Sequence, residues 1–296
     1  ALGVEVDHQT RVTGPLRGGR EAEGDGGLAD STLLVEYCCY GSHGDIVSRR
    51  DFGNERAWQP GAMSNDPAGE NREPGTGPVP GTPSGAAYLV QPDDGPGPGV
   101  LVLHSWWGLT DGVKRLVEQL ADAGYTALAP DLCGGELPAD GEAAAELLSA
   151  SDPNVTAALV LDSTVALRAH SAVPQAPIAV IGFSMGASWA LWLATRQPDS
   201  VDAVVAYYGA QNIDFDDLAA PVLGHFAERD TLVTEDDLNE MHARLLLSEK
   251  SFELHHYPGT THWFAEVGVE DFHDPEATQQ AWQRTLAFLS EHHVVE

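Results

Sequence analysis

The sequence predicts an α/β protein, a mostly parallel, doubly wound sheet with helices on both faces, spanning residues 86–296. Three observations carry this reading. Apolar runs of strand length alternate with longer segments of helical period from residue 86 onward. The central runs, such as GVLVLHSW (99–106) and IAVIGF (178–183), are apolar at nearly every position, as expected of strands covered on both faces. Residues 1–85, by contrast, are rich in Gly, Pro and charge and hold no sustained period of two or 3.6, which predicts an irregular, disordered arm.

Each element has its own signal. AAYLVQP (86–92) and GVLVLHSW (99–106) read as the first two strands of the domain. The segment 110–123, TDGVKRLVEQLADA, reads as a helix: Thr110 or Asp111 can cap it, apolar residues recur at 113, 116, 117 and 120, and Gly124 ends it. YTALAPDL (125–132) is the next strand, and 153–170 a helix with Pro153 in its first turn. IAVIGF (178–183) is a strand, 185–196 a helix and VDAVVAYYG (201–209) a strand. PVLGHFAERD (221–230), a helix over 234–248, FELHHYPG (252–259) and a helix over 275–292 complete the series, with no internal repeat.

Within the arm, Met63 is the first methionine, and the polar, Pro/Gly-rich stretch after it is an ordinary lead-in to a domain. The apolar patch TLLVEYCCY (Thr32–Tyr40) is too short and isolated to build a core. The native start is therefore expected at or near Met63.

Charge excludes several functions. The chain carries 45 acidic against 15 basic residues, a net charge of −30, and Lys114 and Lys250 are its only lysines. Such a surface opposes nucleic acid, whose phosphates need a basic face, and disfavours an anionic substrate. Cys38, Cys39 and Cys133 make no disulfide framework. No stretch approaches 18 consecutive apolar residues, so no membrane span is expected. A soluble, reducing, cytoplasmic setting fits these features.

The motif that points to chemistry is IGFSMGASWA (181–190), a Gly-x-Ser-x-Gly between a predicted strand and a predicted helix. In a doubly wound sheet, sites gather at the carboxyl ends of strands, and Ser184 sits at one. A sharp strand-to-helix turn leaves no room for side chains two residues before and after the serine, and Gly182 and Gly186 have none. The helix start then turns free N–H groups toward charge developing at Ser184. A serine hydroxyl needs a base, and the chain order in this architecture is serine, acid, histidine. HFAERDTLV places Asp230 just past a predicted strand, and YPGTTHWF places His262 after a Pro-Gly turn beyond the last one. Ser184, Asp230 and His262 are thus the expected nucleophile, acid and base.

His225, His255 and His256 fall inside predicted strands, where a satisfied structural role is expected, and Asp216, Asp217, Asp236 and Asp237 fall near predicted helix starts, where capping is. Glu228 is the less favoured alternative acid. VLVLHSWWGLTD follows an earlier central strand, so the backbone N–H of Trp106 is expected to join that of Met185 in an oxyanion hole. Ser105, Trp107 and Trp263 are the candidate substrate contacts, with packing as the competing role for each.

Taken together, HSWWGLTDGVKRLVEQLADAGYTALAPDLCGG, IGFSMGASWALWLA, FAERD and YPGTTHWF resemble the dienelactone hydrolase family of α/β hydrolases, over residues 86 to 292. The resemblance implies an α/β-hydrolase fold acting on small-molecule esters or lactones, as a monomer and without cofactor or metal. Three departures stand out. The family's best-known members carry cysteine where this chain has Ser184, glutamate where it has Ser105, and a carboxylate-gripping arginine where it has Glu266. With the arginine replaced by an acid, a neutral, short acyl ester or lactone is expected rather than a dienelactone. An acyltransferase or thioesterase with the same triad, or a binding protein on the same fold, are the alternatives.

Overall fold

The computed structural model describes residues 76–77, 87–269 and 271–293. Its strands are β1 (Thr76–Gly77), β2 (Ala87–Val90), β3 (Gly99–Leu103), β4 (Thr126–Pro130), β5 (Ile178–Phe183), β6 (Val201–Tyr207), β7 (Val222–Arg229) and β8 (Phe252–Thr261). The helices are α1 (Asp111–Asp122), α2 (Gly141–Ala150), α3 (Pro153–His170), α4 (Met185–Arg196), α5 (Glu235–Leu247) and α6 (Pro275–His292). The strands form one sheet in the order β1-β2-β4-β3-β5-β6-β7-β8. Pairing is antiparallel from β1 to β4 and parallel from β4 through β3 to β8. The expected native start at Met63, and most of the expected arm, lie outside the described residues; within it, Thr76 and Gly77 pair with Tyr88 and Ala87.

The all-apolar strands are buried on both sides, as their composition requires. In β3, Leu101 and Leu103 face a core shared with α3, α4 and α5, whereas Val100 and Val102 face one shared with α1 and α6. Val180 in β5 and Val204 in β6 point to the first core; Ile181 and Val205 point to the second. This period-two division is what lets one strand supply two hydrophobic layers. The helix signals also act as expected. Thr110 caps α1 through its hydroxyl, and Thr234 with Asp237 forms a capping box on α5.

Four local expectations are corrected. Helix α2 was not predicted, although Asp140 caps it and Ala144, Leu147 and Leu148 recur at helical spacing. Strand β3 stops at Leu103, because its ladder with β5 ends at Leu103–Gly182 where β5 itself turns away. Pro258 and Gly259 form no terminal turn; β8 runs through them to Thr261, with a register shift against β7 between Ala227 and Arg229. An edge strand tolerates this, since a proline there forfeits no ladder bond on its free side. Asp216 and Asp217 cap nothing; they lie in a turn where Ser248 and Lys250 hydrogen-bond to Asp216.

A buried polar chain ties α6 to the sheet. The Thr285 hydroxyl lies 2.7 Å from the Tyr207 hydroxyl and 3.1 Å from His225 Nε2, while His225 Nδ1 meets the Tyr257 hydroxyl at 2.8 Å. Arg284 donates to that same hydroxyl at 2.9 Å. Burial holds His225 well below the usual imidazole range, reinforced by His255 and Arg284, so the ring is neutral. The mid-strand histidine is a satisfied structural group, as expected. Thr285→Val keeps the side-chain shape but leaves Tyr207 and His225 short of a partner. Chemical denaturation at pH 7 should show a loss of about 2–6 kcal/mol, from two buried polar groups each costing roughly 1–3 kcal/mol when unpaired.

Candidate active site

Neighbouring strands β3 and β5 lead the chain in opposite directions, β3 to β4 on one side and β5 to β6 on the other. That reversal opens a crevice at their carboxyl ends. Ser184 lies there, directly after β5, with φ 51° and ψ −114°. A serine held at positive φ is uncommon, and the surroundings enforce it. Its N–H donates to the Tyr207 carbonyl at 2.9 Å, and its own carbonyl accepts from the Ala187 N–H at 2.9 Å. A Cβ on Gly182 would lie 2.3 Å from the Gly186 oxygen, and one on Gly186 would lie 2.1 Å from the Leu103 oxygen. The two glycines of the motif therefore allow α4 to press against both β5 and the end of β3.

Asp230 follows β7, and its Oδ1 accepts from the N–H groups of Leu232 and Val233, each at 2.9 Å. Both bonds fix the carboxylate and leave Oδ2 to face His262 Nδ1 at 2.7 Å. The carboxylate can only accept, so Nδ1 carries the proton and Nε2 keeps its lone pair. Nε2 lies 2.8 Å from Ser184 Oγ. Both side chains are nearly inaccessible, Ser184 at 6% and His262 at 3% exposure. The irregular end of β8 delivers His262 to this position. Glu228, the alternative acid, instead accepts from the Gly259 N–H at 2.7 Å and is exposed.

The sequence did not single out Tyr208. It is fully buried at φ 37°, and its ring lies 5.0 Å from that of His262, tilted by 57°. Trp263 also meets the imidazole, edge-on at 4.8 Å. These two rings hold the histidine in plane. The signal for Tyr208 was its place at the carboxyl end of β6, level with Ser184.

The Trp106 N–H lies in the loop after β3, and the Met185 N–H belongs to the first residue of α4, directly after Ser184. Among the described residues, neither has a protein acceptor, which leaves both available to an oxyanion. Trp106 stacks on Trp263 at 5.3 Å, and Trp107 meets both edge-on at 5.7 and 5.4 Å. Ser105 is buried and its hydroxyl accepts from the Trp107 N–H at 3.3 Å.

A cleft of about 230 Å³ is lined by Trp106, Met185, Leu132, Cys133 and residues of α2 and α3; it reaches the residue after Ser184, but neither Ser184 nor His262 lines it. Its lining includes neither Ser105 nor Trp107 nor Trp263. Asp152 is the charged residue in its wall, and no Lys or Arg is present there. Burial, with a smaller push from Asp131, raises the Cys133 thiol to about 12, so it remains a neutral SH.

The model of the dienelactone hydrolase family matches residues 86–293. The chain belongs to that family. It is accordingly a hydrolase acting on ester or lactone bonds. It is similar to the carboxymethylenebutenolidase of Rhodococcus opacus, 28% identical over 74% of this chain and 89% of the relative. It is also similar to a probable 2-oxo-3-(5-oxofuran-2-ylidene)propanoate lactonase of Bradyrhizobium, 30% identical over 70% of this chain and 89% of the relative. A crystal structure of a putative dienelactone hydrolase from Klebsiella pneumoniae superposes with TM-score 0.62 at 26% identity, covering 70% of this chain and 93% of that one. Among the described residues no helix is long and apolar enough to cross a membrane.

Glu266 gives the site a measurable pH dependence. Burial raises its carboxyl from 4.5 to about 7, with the Ser105 hydroxyl pulling weakly the other way, and one carboxyl oxygen has no hydrogen-bond partner. The folded state thus holds a proton that the unfolded chain has released. Its contribution to stability is fully present below pH 4.5 and is lost between 4.5 and about 7. At about 1.4 kcal/mol per tenfold, the loss is on the order of 3 kcal/mol. Thermal unfolding of Glu266→Gln should exceed wild type at pH 8, with the difference vanishing toward pH 4.5.

Proposed function

We propose that this family member hydrolyses carboxylic esters or lactones through a Ser184–His262–Asp230 triad and an acyl-enzyme. The observation that carries the reading is the continuous hydrogen-bonded line from Ser184 Oγ to His262 Nε2 at 2.8 Å and from His262 Nδ1 to Asp230 Oδ2 at 2.7 Å. Ser184 Oγ attacks the carbonyl carbon as its proton passes to His262 Nε2. Asp230 remains ionised and stabilises the imidazolium. The oxyanion sits against the Trp106 and Met185 N–H groups. On collapse, the imidazolium gives its proton to the departing oxygen, leaving an ester on Ser184. His262 then deprotonates a water that attacks this ester, and Ser184 leaves with the proton.

The preferred substrate is a short, neutral acyl ester or lactone. A cleft of about 230 Å³ suits a small acyl group, and its apolar walls with Asp152 and no cation disfavour a carboxylate. The names of the relatives specify a butenolide bearing a carboxymethylene group and an oxofuranylidene propanoate. This chain has Glu266 buried beside Ser105, with no Arg or Lys in the cleft to grip such an anion.

Steady-state assays should find p-nitrophenyl acetate turnover that Ser184→Ala abolishes. Asp230→Asn should lose about 10⁴-fold in kcat, because the imidazole is then held in the wrong tautomer. Across a substrate panel, neutral short-chain esters should exceed anionic esters and dienelactone in kcat/KM. Equal turnover by Ser184→Ala would overturn the triad, and preferred turnover of dienelactone would overturn the substrate class.

A further inference from the structure

His104 is the last residue before the Ser105–Trp106 peptide and is wholly buried. Its imidazole is held at both nitrogens. Nδ1 lies 2.6 Å from the Ser105 carbonyl oxygen, which can only accept, so Nδ1 carries the proton. Nε2 accepts from the Leu132 N–H at 2.9 Å, so it carries none. The ring is therefore one defined neutral tautomer, with Asp131 Oδ1 no nearer to Nε2 than 3.9 Å.

The consequence follows from peptide geometry. In a planar trans peptide, the carbonyl of one residue and the N–H of the next point in opposite directions. A donor that grips the Ser105 oxygen therefore turns the Trp106 N–H the other way. The Gly108 N–H grips the same oxygen at 3.3 Å, closing a turn. The His104 bond is shorter and reaches beyond the loop. Through Leu132 it anchors the peptide to the segment after β4, which lines the same cleft as Trp106 and Met185. On the opposite side, Gly186 of α4 abuts the Leu103 and His104 carbonyls, where a Cβ would come within 2.1 and 2.6 Å. The β3 loop and the start of α4 are thus held in register by direct contact.

We propose that His104 is a positioning residue: its neutral imidazole sets the plane of the Ser105–Trp106 peptide and so aims the Trp106 N–H at the oxyanion. This rests on Ser184 acting as nucleophile. A histidine that merely fills space would make different demands on its replacements, and two variants separate the roles. His104→Phe keeps the ring volume and removes both hydrogen bonds. His104→Asn loses volume but keeps an N–H at the first side-chain position, within reach of the Ser105 oxygen.

The readouts are kcat and KM for p-nitrophenyl acetate, the affinity for phenylboronic acid as a tetrahedral adduct on serine, and circular dichroism to establish folding. Losing a correctly aimed oxyanion donor costs about 10²–10³-fold. Folded His104→Phe should lose on that order in kcat and, in parallel, in boronate affinity, with KM changed less than about threefold. His104→Asn should recover about tenfold or more of both relative to His104→Phe. A space-filling role predicts the reverse order, and that order, or wild-type boronate affinity in folded His104→Phe, overturns the proposal. Should His104→Phe not fold, His104→Asn decides alone: boronate affinity within about tenfold of wild type supports the role, and a larger loss overturns it. Wild type that shows no Ser184-dependent turnover or boronate binding refutes the triad itself, an outcome distinct from either.

Discussion

The backbone of Ser184, bent into positive φ between β5 and α4, is the constraint on which the remaining site geometry depends. The bend stands only because its own N–H and carbonyl are bonded to Tyr207 and Ala187, and because two glycines leave room for α4. It lifts the hydroxyl out of the sheet to meet an imidazole carried on a different strand end. It also starts α4 with the Met185 N–H free of any acceptor among the described residues. A relaxed turn would separate these features, and Ser184 Oγ would no longer meet His262.

The partners are fixed by equally local means. Two backbone N–H groups hold one oxygen of Asp230, so the other meets His262. Tyr208 and Trp263 pack against the imidazole. Neither depends on the long-range field of a chain with net charge −30. The acidic surface bears instead on which substrate approaches, and the buried Glu266 bears on the pH at which the fold is most stable.

Much of this was legible in the sequence because the signals were physical and short-ranged. All-apolar strands, the Thr110 cap, Asp237 at the start of α5 and the glycines flanking Ser184 each state a local demand, and each was met, unlike the capping expected of Asp216 and Asp217. Asp230 and His262 could be placed because a parallel sheet brings successive strand ends to one edge. What escaped required knowledge of neighbours. Helix α2 is Ala-rich and only partly buried, with Ala144 its one fully covered residue, so its periodic stripe was faint. The passage of β8 through Pro258 and Gly259 depends on its edge position, which strand order alone determines. His104 was read as part of β3; its bonds to the Ser105 carbonyl and the Leu132 amide depend on where that strand ends. The mutual packing of the tryptophans, Trp263 stacked on Trp106 and Trp107 edge-on to it, likewise depends on which loops the fold brings together.

The central claim is that Ser184 is made reactive by His262 within this strained turn. The most direct measurement is covalent labelling with a fluorophosphonate, followed by peptide mass spectrometry. The account predicts one adduct, on the peptide bearing Ser184, formed rapidly in wild type and lost in His262→Ala at the same pH. An adduct elsewhere, or labelling of Ser184 at an undiminished rate without the imidazole, would contradict it.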